Sequence, residues 1–578
     1  MSALYARLKP DTALEKDSSG AIEVSIVDDL TVVLRRRDAV PVCTWMINTA
    51  PQYGVQLSID EKWHAFAPAH SSEADPMQSP AVRSLQLMGC KVSAEGLPRL
   101  LGAPIGTRTF CTRADGHLQA VTDSAKAFAA KIHSLEHATA EYHMLRFCAS
   151  TSMHHLPRLM PPDVVQGFAL QHRDAVHEGM RLVLTADTLT DTQRDQVSLP
   201  EYEGGMSMVS SYEVLNPAFV GAAAAVGKFY KDCNWPEAKV LYKVLQSTPA
   251  VVMAVEDLNQ LFALHASRVK VKHLDPQLPH SWPTQSQLSK AVHRIRADEL
   301  EQRLAAESPA AASWFASCRL RGSGAWLHAL PVHARFRVSS DLYRIMLCLR
   351  MMVRIPATAT LQRCVCGYDG PFLPYGVHWF AQCRKVSLSS SRHNALCEVL
   401  REMLSQVQWE VQDGETANWI RRRNDLRPFD ILARSAKSLA ANKRGFDVGV
   451  ADPTRVHLVP TGQHYFKKGK ASSRLVSRKK SRFNYLVNHY GLKHPVDFEP
   501  LGYEVTGGMG YHAARLFTEV VACASVLGAG VPAGMSTWSA MDFGSFYSQA
   551  ISFTIVKLTA MAVQHGIRQA MAEAHSSN

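Results

Sequence analysis

Ile22-Glu23-Val24-Ser25-Ile26-Val27-Asp28-Asp29-Leu30-Thr31-Val32-Val33-Leu34 sets two adjacent aspartates between two short apolar arms. The run reads as strand, acidic tip, strand. A hard divalent cation needs oxygen ligands held on rigid elements, and a hairpin tip of this kind presents carboxylates to magnesium. Only 27 residues precede the pair, which leaves little room for an earlier strand with a further metal-binding aspartate. Asp11 and Asp17, the only aspartates upstream, lie in a polar segment with no strand pattern.

Working outward, the chain of 578 residues is too long for one core, so three or four domains are expected. A hydrophobic content of 46% with 20% charged residues describes an ordinary globular protein. The formal charge of +12 favours a polyanionic partner. Twelve scattered cysteines and no apolar signal core at Met1–Arg7 point to reduced thiols in the nucleus or cytoplasm, not to secretion. The longest apolar tracts, Ala218 to Val226 and Ile551 to Val563, are too short to span a bilayer, and the second carries Lys557, so no membrane partner is expected.

The stretch up to Pro68 reads as hairpin, helix and a short strand-turn around Gly54, followed by a polar linker from Ala69 to Pro80. Residues 81–112 alternate like strands. From Asp115 to Ala266 the pattern is helical, with Ala127, Ala130, Leu135, Ala138 and Tyr142 recurring at three to five residues. His273 to Gln287 looks like a linker into a second helical stretch that ends near Ser308, and from Val386 onward the chain looks α/β.

Three further constellations carry chemistry. Cys364-x-Cys366, His378 and Cys383 supply three thiolates and an imidazole, a donor set suited to tetrahedral zinc in a closed structural site. His393 belongs to the start of the following helix and not to the ligand set. Asp430 and Asp447 each sit in an apolar run, and Lys479-Lys480 follows. Eight lysines and arginines lie between Lys467 and Arg482: Lys467, Lys468, Lys470, Arg474, Arg478, Lys479, Lys480 and Arg482. No acid occurs from Pro453 to Val496, so this field suits backbone phosphates, with Tyr465, Phe466, Phe483 and Tyr485 available to stack on unpaired bases.

The order of these motifs resembles that of non-LTR retrotransposon polyproteins. Ile26-Val27-Asp28-Asp29-Leu30 is similar to the Tyr-Val-Asp-Asp-Leu type motif of reverse transcriptases, and Gly54-Val55-Gln56-Leu57-Ser58-Ile59-Asp60-Glu61-Lys62 to the next palm motif. The resemblance makes Asp28 and Asp29 catalytic carboxylates and sets Lys62 near an incoming nucleotide. Gln196-Val197-Ser198-Leu199-Pro200 and Gly322-Ser323-Gly324-Ala325-Trp326 look like segments between palm and nuclease. Arg392-His393, Arg427-Pro428-Phe429-Asp430 and Asp447-Val448 resemble the restriction-like endonuclease that follows a Cys-Cys-His-Cys finger.

Carried over, Asp430 and Asp447 are metal ligands for magnesium. The family pattern has a lysine four residues before a tyrosine, which here falls on Ser481, with Lys480 one place off. Either Lys480 serves after a one-residue shift or the nuclease is damaged. Glu504, in the Phe-x-Pro-Leu-x-x-Glu ending, is structural or faces the site.

The resemblance implies a multidomain α+β chain: a partial reverse-transcriptase palm over 1–112, a mostly helical thumb over 113–272, a helical connection over 288–355, a small zinc finger over 356–392 and an α/β restriction-endonuclease-like domain over 393–578. It implies a fragment of a reverse transcriptase and endonuclease that binds DNA and RNA and nicks DNA with magnesium, its polymerase activity lost with the upstream palm. A second reading stays open, a non-catalytic nucleic-acid-binding remnant with a structural zinc site. Nothing in the sequence fixes the oligomeric state.

Overall fold

The computed structural model describes residues 22–26, 29–33, 36–53, 63–67, 76–100, 102–233, 236–386, 388–414, 420–421, 426–435, 443–454, 468–493 and 495–576. The fold is mixed α+β and mostly helical. By contact density the chain divides into two units, Met1–Asp123 with Leu159–Phe168, and Ser124–Arg158 with Ala169–Asn578.

In the first unit, β1 (Ile22–Ile26) and β2 (Asp29–Val33) form an antiparallel hairpin with Ile26 opposite Asp29. Helix α1 (Arg36–Thr49) follows, then β3 (His64–Phe66), helix α2 (Pro80–Leu87) and β4 (Lys91–Ser93), which pairs parallel with β3. Strands β5 (Gly96–Leu100) and β6 (Ala103–Gly106) close a second hairpin. Helix α2 occupies the start of the segment expected to alternate like strands. Ser79 caps it by accepting the Val82 N–H, Pro80 has the fixed φ of a first helical residue, and Val82 and Leu85 bury one face at i, i+3.

A run of helices follows, most of it in the second unit: α3 (His117–Ile132), α4 (Ala138–Met144), α5 (Pro162–Leu184), α6 (Asp191–Ser198), α7 (Leu215–Asp232), α8 (Pro236–Ser247), α9 (Pro249–Leu264), α10 (Gln285–Glu307), α11 (Pro309–Cys318) and α12 (Ser340–Met351). The first turns of α3 and α5 belong to the first unit. The buried face of α3 is Leu118, Ala125, Ala129 and Ile132, while Ala127, Ala130 and Leu135 are exposed. Alanines occupy both faces of this helix, so their spacing carries no phase. The expected linker from His273 to Gln287 is instead pinned: the Asn259 side chain brackets Leu274, and buried Trp282 donates its Nε1–H to the Asp275 carbonyl at 2.8 Å.

Helices α13 (Val377–Ala381) and α14 (Ser389–Gln406) lead into a four-stranded sheet of order β10-β9-β8-β7, with β7 (Glu410–Asp413), β8 (Ile431–Arg434), β9 (Arg444–Ala451) and β10 (Asp497–Glu504). Only β9 and β10 run parallel, joined by the crossover helix α15 (Lys470–Tyr490). Helix α16 (Tyr511–Leu527) and the long helix α17 (Phe543–Ser576) complete the unit. The Ile551 to Val563 tract lies inside α17, which is long and apolar enough to cross a membrane, yet 67% of its apolar window is buried in the protein. Phe546, Tyr547, Ile551, Ile555 and Val563 share one hydrophobic core with α12, α13, α14 and the inner face of the sheet. It is packed as a core helix.

Candidate active site and metal centre

Side chains alternate along β9, so Phe446 and Val448 enter the core while Asp447 and Gly449 face the other way, toward Lys479 and Leu475 of the helix α15. Ile431 pairs with Phe446 in the antiparallel β8–β9 ladder. Asp430 stands just before β8, beyond the last pair of the ladder, and its N–H donates to the Phe446 carbonyl at 2.8 Å. That contact holds Asp430 at the entry to β8 beside Asp447 of β9, so two carboxylates far apart in sequence meet. Asp430 Oδ2 accepts the Val448 N–H at 2.6 Å, and its Oδ1 lies 3.2 Å from His393 Nε2 on α14.

Helix α15 reaches this face because Gly449 and Gly502 are paired neighbours on β9 and β10. A Cβ at Gly502 meets the Ser472 carbonyl at 2.8 Å, and one at Gly449 meets Leu475 and Lys479 at 2.7 Å. Two missing side chains thus let α15 settle on the sheet, and Lys479 Nζ donates to Asp447 Oδ1. Lys480, the lysine assigned from the sequence, turns away. Its Nζ is 3.5 Å from His512 Nε2, in a separate polar cavity with Arg444, Glu499 and Arg515. One residue along a helix is a 100° rotation, so adjacent lysines cannot serve one point.

Asp430, Asp447, Lys479, His393, Arg427 and Arg482 line a cavity of about 280 Å³. Burial raises the Asp447 carboxyl above the usual range, and contact with Asp430 raises it further against the pull of Lys479. Asp430 is also buried, but the His393 hydrogen bond and charge and the Val448 N–H outweigh burial and hold it low. His393 is driven up to about 10, chiefly by its hydrogen bond to Asp430. The two carboxyls therefore differ: one is held as the anion, the other is poised toward the acid.

Of the basic field, Lys470, Arg474, Arg478 and Arg482 recur every four residues along α15, a stripe that winds to the cavity mouth. None of the four has an ion-pair partner among the described residues. Lys468 precedes the helix, where burial lowers its ammonium pKa near Glu203 and Arg319. One face of the Phe483 ring is covered by Phe498, on which it lies flat at 3.9 Å, and the residue also lines the cavity. Tyr485 is half exposed but rests on His489.

The second centre is Cys364, Cys366, His378 and Cys383, whose ligand atoms all lie within 4.8 Å of one another and can hold a metal ion. Cys364 and Cys383 sulfurs are 3.7 Å apart, and Cys366 Sγ is 3.1 Å from His378 Nε2. A tetrahedron with Zn–S about 2.3 Å has S···S edges of ~3.8 Å, so the donor set fits zinc. Gly367, at φ +87°, turns the chain just after Cys366, its N–H donating to the Cys364 carbonyl at 2.7 Å. The Tyr368 ring stacks on His378 at 4.0 Å. The cluster is no isolated knuckle: Cys364, Cys383 and Trp379 belong to the core built on α17.

Asp29 opens β2, while Asp28, Lys62 and Lys467 lie outside the described residues. Glu504 is structural. Its buried Oε1 accepts the Ser472 N–H at 3.0 Å and the Ser472 hydroxyl at 2.9 Å, anchoring the start of α15. Sequence reasoning missed the roles of Lys479, His393 and Cys397. The i, i+4 spacing of His393 and Cys397 on a helix was the available signal for the last two. No protein-family model matches the chain, and no curated protein matches it.

Proposed function

We propose that the Asp430–Asp447 face is a magnesium-dependent phosphodiester-cleavage centre of the restriction-like kind, acting on DNA, in a chain derived from a retrotransposon reverse transcriptase and endonuclease. The observation that carries this reading is the meeting of two carboxylates, one at the entry to β8 and one on β9, with one lysine at the wall of a cavity entered by a basic stripe. Asp430 and Asp447 would hold magnesium, which would supply Lewis acidity at a scissile phosphate. Lys479 is positioned to stabilise developing negative charge. His393 fixes the orientation of Asp430. Arg474, Arg478 and Arg482 bind backbone phosphates, and RNA shares that chemistry. Cys364, Cys366, His378 and Cys383 hold a structural zinc.

The test is nicking of supercoiled DNA with and without magnesium. Asp447→Ala and Lys479→Ala are expected to lose about 100-fold or more of the rate, and Lys480→Ala to keep it. Undiminished cleavage by Asp447→Ala overturns the reading.

One observation favours a second reading, a nucleic-acid-binding remnant without catalysis. Both carboxylates already have a cationic partner, Lys479 on Asp447 and His393 on Asp430. In that case the chain retains salt-sensitive DNA binding but nicks nothing, and Lys479→Ala weakens binding only slightly.

A further inference from the structure

Three lone-pair atoms converge beside the cavity, two of them on its wall and the third, of Cys397, buried behind it. His393 Nε2 is 3.2 Å from Asp430 Oδ1 and 3.7 Å from Cys397 Sγ, and the three ligand atoms lie within 4.8 Å of one another. An imidazole N–H lies in the ring plane and points at a single acceptor, so one proton satisfies only one of these contacts. A cation satisfies both at once. Tetrahedral zinc, with Zn–N about 2.0–2.1 Å, Zn–O about 2.0–2.2 Å and Zn–S about 2.3 Å, separates N from O by ~3.4 Å and N from S by ~3.6 Å. The separations in the protein match both edges.

The ligands are also held in place. His393 and Cys397 are one turn apart on α14, a helix anchored by Arg392, whose guanidinium reaches Thr559 of α17. Asp430 is fixed by the Val448 N–H on its other oxygen, the kind of outer contact that orients a metal ligand. His393 and Asp430 both line the cavity, so a fourth position is open to water or a ligand.

We propose that His393, Cys397 and Asp430 form a second metal site, for zinc or another borderline divalent transition metal, distinct from the Cys364 centre. The thiolate and imidazole select against magnesium, which prefers oxygen donors throughout. The site does not depend on the nuclease reading. Because Asp430 is common to both, however, zinc bound here competes with magnesium at the aspartate pair wherever that reading holds.

The experiment counts metal in the full chain after exposure to zinc and dialysis, and repeats the count by cobalt(II) titration, read through sulfur-to-cobalt charge-transfer absorption. The parent is expected to hold two equivalents in the presence of millimolar magnesium. His393→Gln and Cys397→Ala are expected to hold one, and Asp447→Asn two. Cys366→Ser should lose the other equivalent and leave the weaker cobalt spectrum of a site with one thiolate. A parent that holds one equivalent overturns the proposal, as does a Cys397→Ala chain that still holds two; Nε2 then carries a proton shared with Asp430. Loss of the second equivalent in Asp447→Asn also overturns it, because the ion then belongs to the carboxylate pair. Should the α14 variants not fold, the cobalt titration of the parent decides alone, by one spectral component or two. None of these readouts requires cleavage, so failure of the nuclease reading and failure of this one remain distinguishable.

Discussion

Asp430 uses its two oxygens for different tasks. Oδ2 takes the Val448 N–H at 2.6 Å, an amide just beyond the reach of β8, and Oδ1 faces His393. Asparagine keeps one oxygen for the amide, whereas alanine leaves the Val448 N–H without its partner and His393 without its carboxylate. Asp430→Ala is therefore expected to cost about 1–3 kcal/mol more in urea unfolding than Asp430→Asn, with both losing magnesium-dependent nicking. Equal stability of the two variants removes Oδ2 as a backbone cap. At this scale the sequence was partly readable. Asp430 and Asp447 stood out because each sits in an apolar run, Asp430 at the entry to β8 and Asp447 within β9, and strands place such carboxylates reproducibly. Lys479 and Lys480 could not be told apart by spacing to a tyrosine, because the choice depends on the phase of α15 as it docks. His393 and Cys397 were hidden for a related reason: their meeting with Asp430 is a contact between distant segments.

Two glycines decide how α15 meets the sheet. Gly502 has the Ser472 carbonyl 2.8 Å from where a Cβ would sit, a backbone atom that cannot rotate aside. Gly502→Ala is expected to destabilise the second unit by about 1–3 kcal/mol, as overpacking does, and to shift Lys479 off Asp447. A urea midpoint unchanged from the parent counts against this account of docking. The metal cluster makes a parallel case. Cys364 and Cys383 are buried beside Trp379, and Gly566 of α17 packs on the Trp379 ring. A metal held there would tie α13 into the core, so a chelator is expected to lower the thermal midpoint, and Cys366→Ser to mimic it. If the chelated chain melts at the parent temperature, the cluster contributes nothing to folding. The Cys-x-Cys…His…Cys spacing announced this centre, since four soft ligands in one short segment need little tertiary context. Helix α2 was missed because its cap at Ser79 and Pro80 lay at the edge of a stretch read as linker.

Across the whole molecule, the helical part of the second unit buries four imidazoles that resist protonation. His143, on α4, is lowered to about 4, by burial first and Arg146 second. His172, on α5, falls to about 4 through burial despite the Ala149 carbonyl. His177, also on α5, falls to about 3, and His293, on α10, to about 4, again chiefly by burial. Each has a folded pKa below its unfolded value near 6.5, so above that pH both states are neutral and no stability is at stake. As pH falls below 6.5 the unfolded chain takes up protons that the folded chain refuses. Stability then declines by about 1.4 kcal/mol per pH unit for each histidine until the folded pKa is reached. From pH 7 to 5.5 the four together lose about 5 kcal/mol, comparable with the whole stability of many domains. The urea midpoint is therefore expected to fall steeply over that interval. His177 offers the sharpest test, since its Nε2 pairs with the Ser198 hydroxyl at 2.8 Å, a contact that glutamine can replace. His177→Gln is expected to make the decline shallower by about 1.4 kcal/mol per pH unit. An unchanged slope in that variant shows that His177 takes up its proton without unfolding, and removes burial as the cause of acid sensitivity.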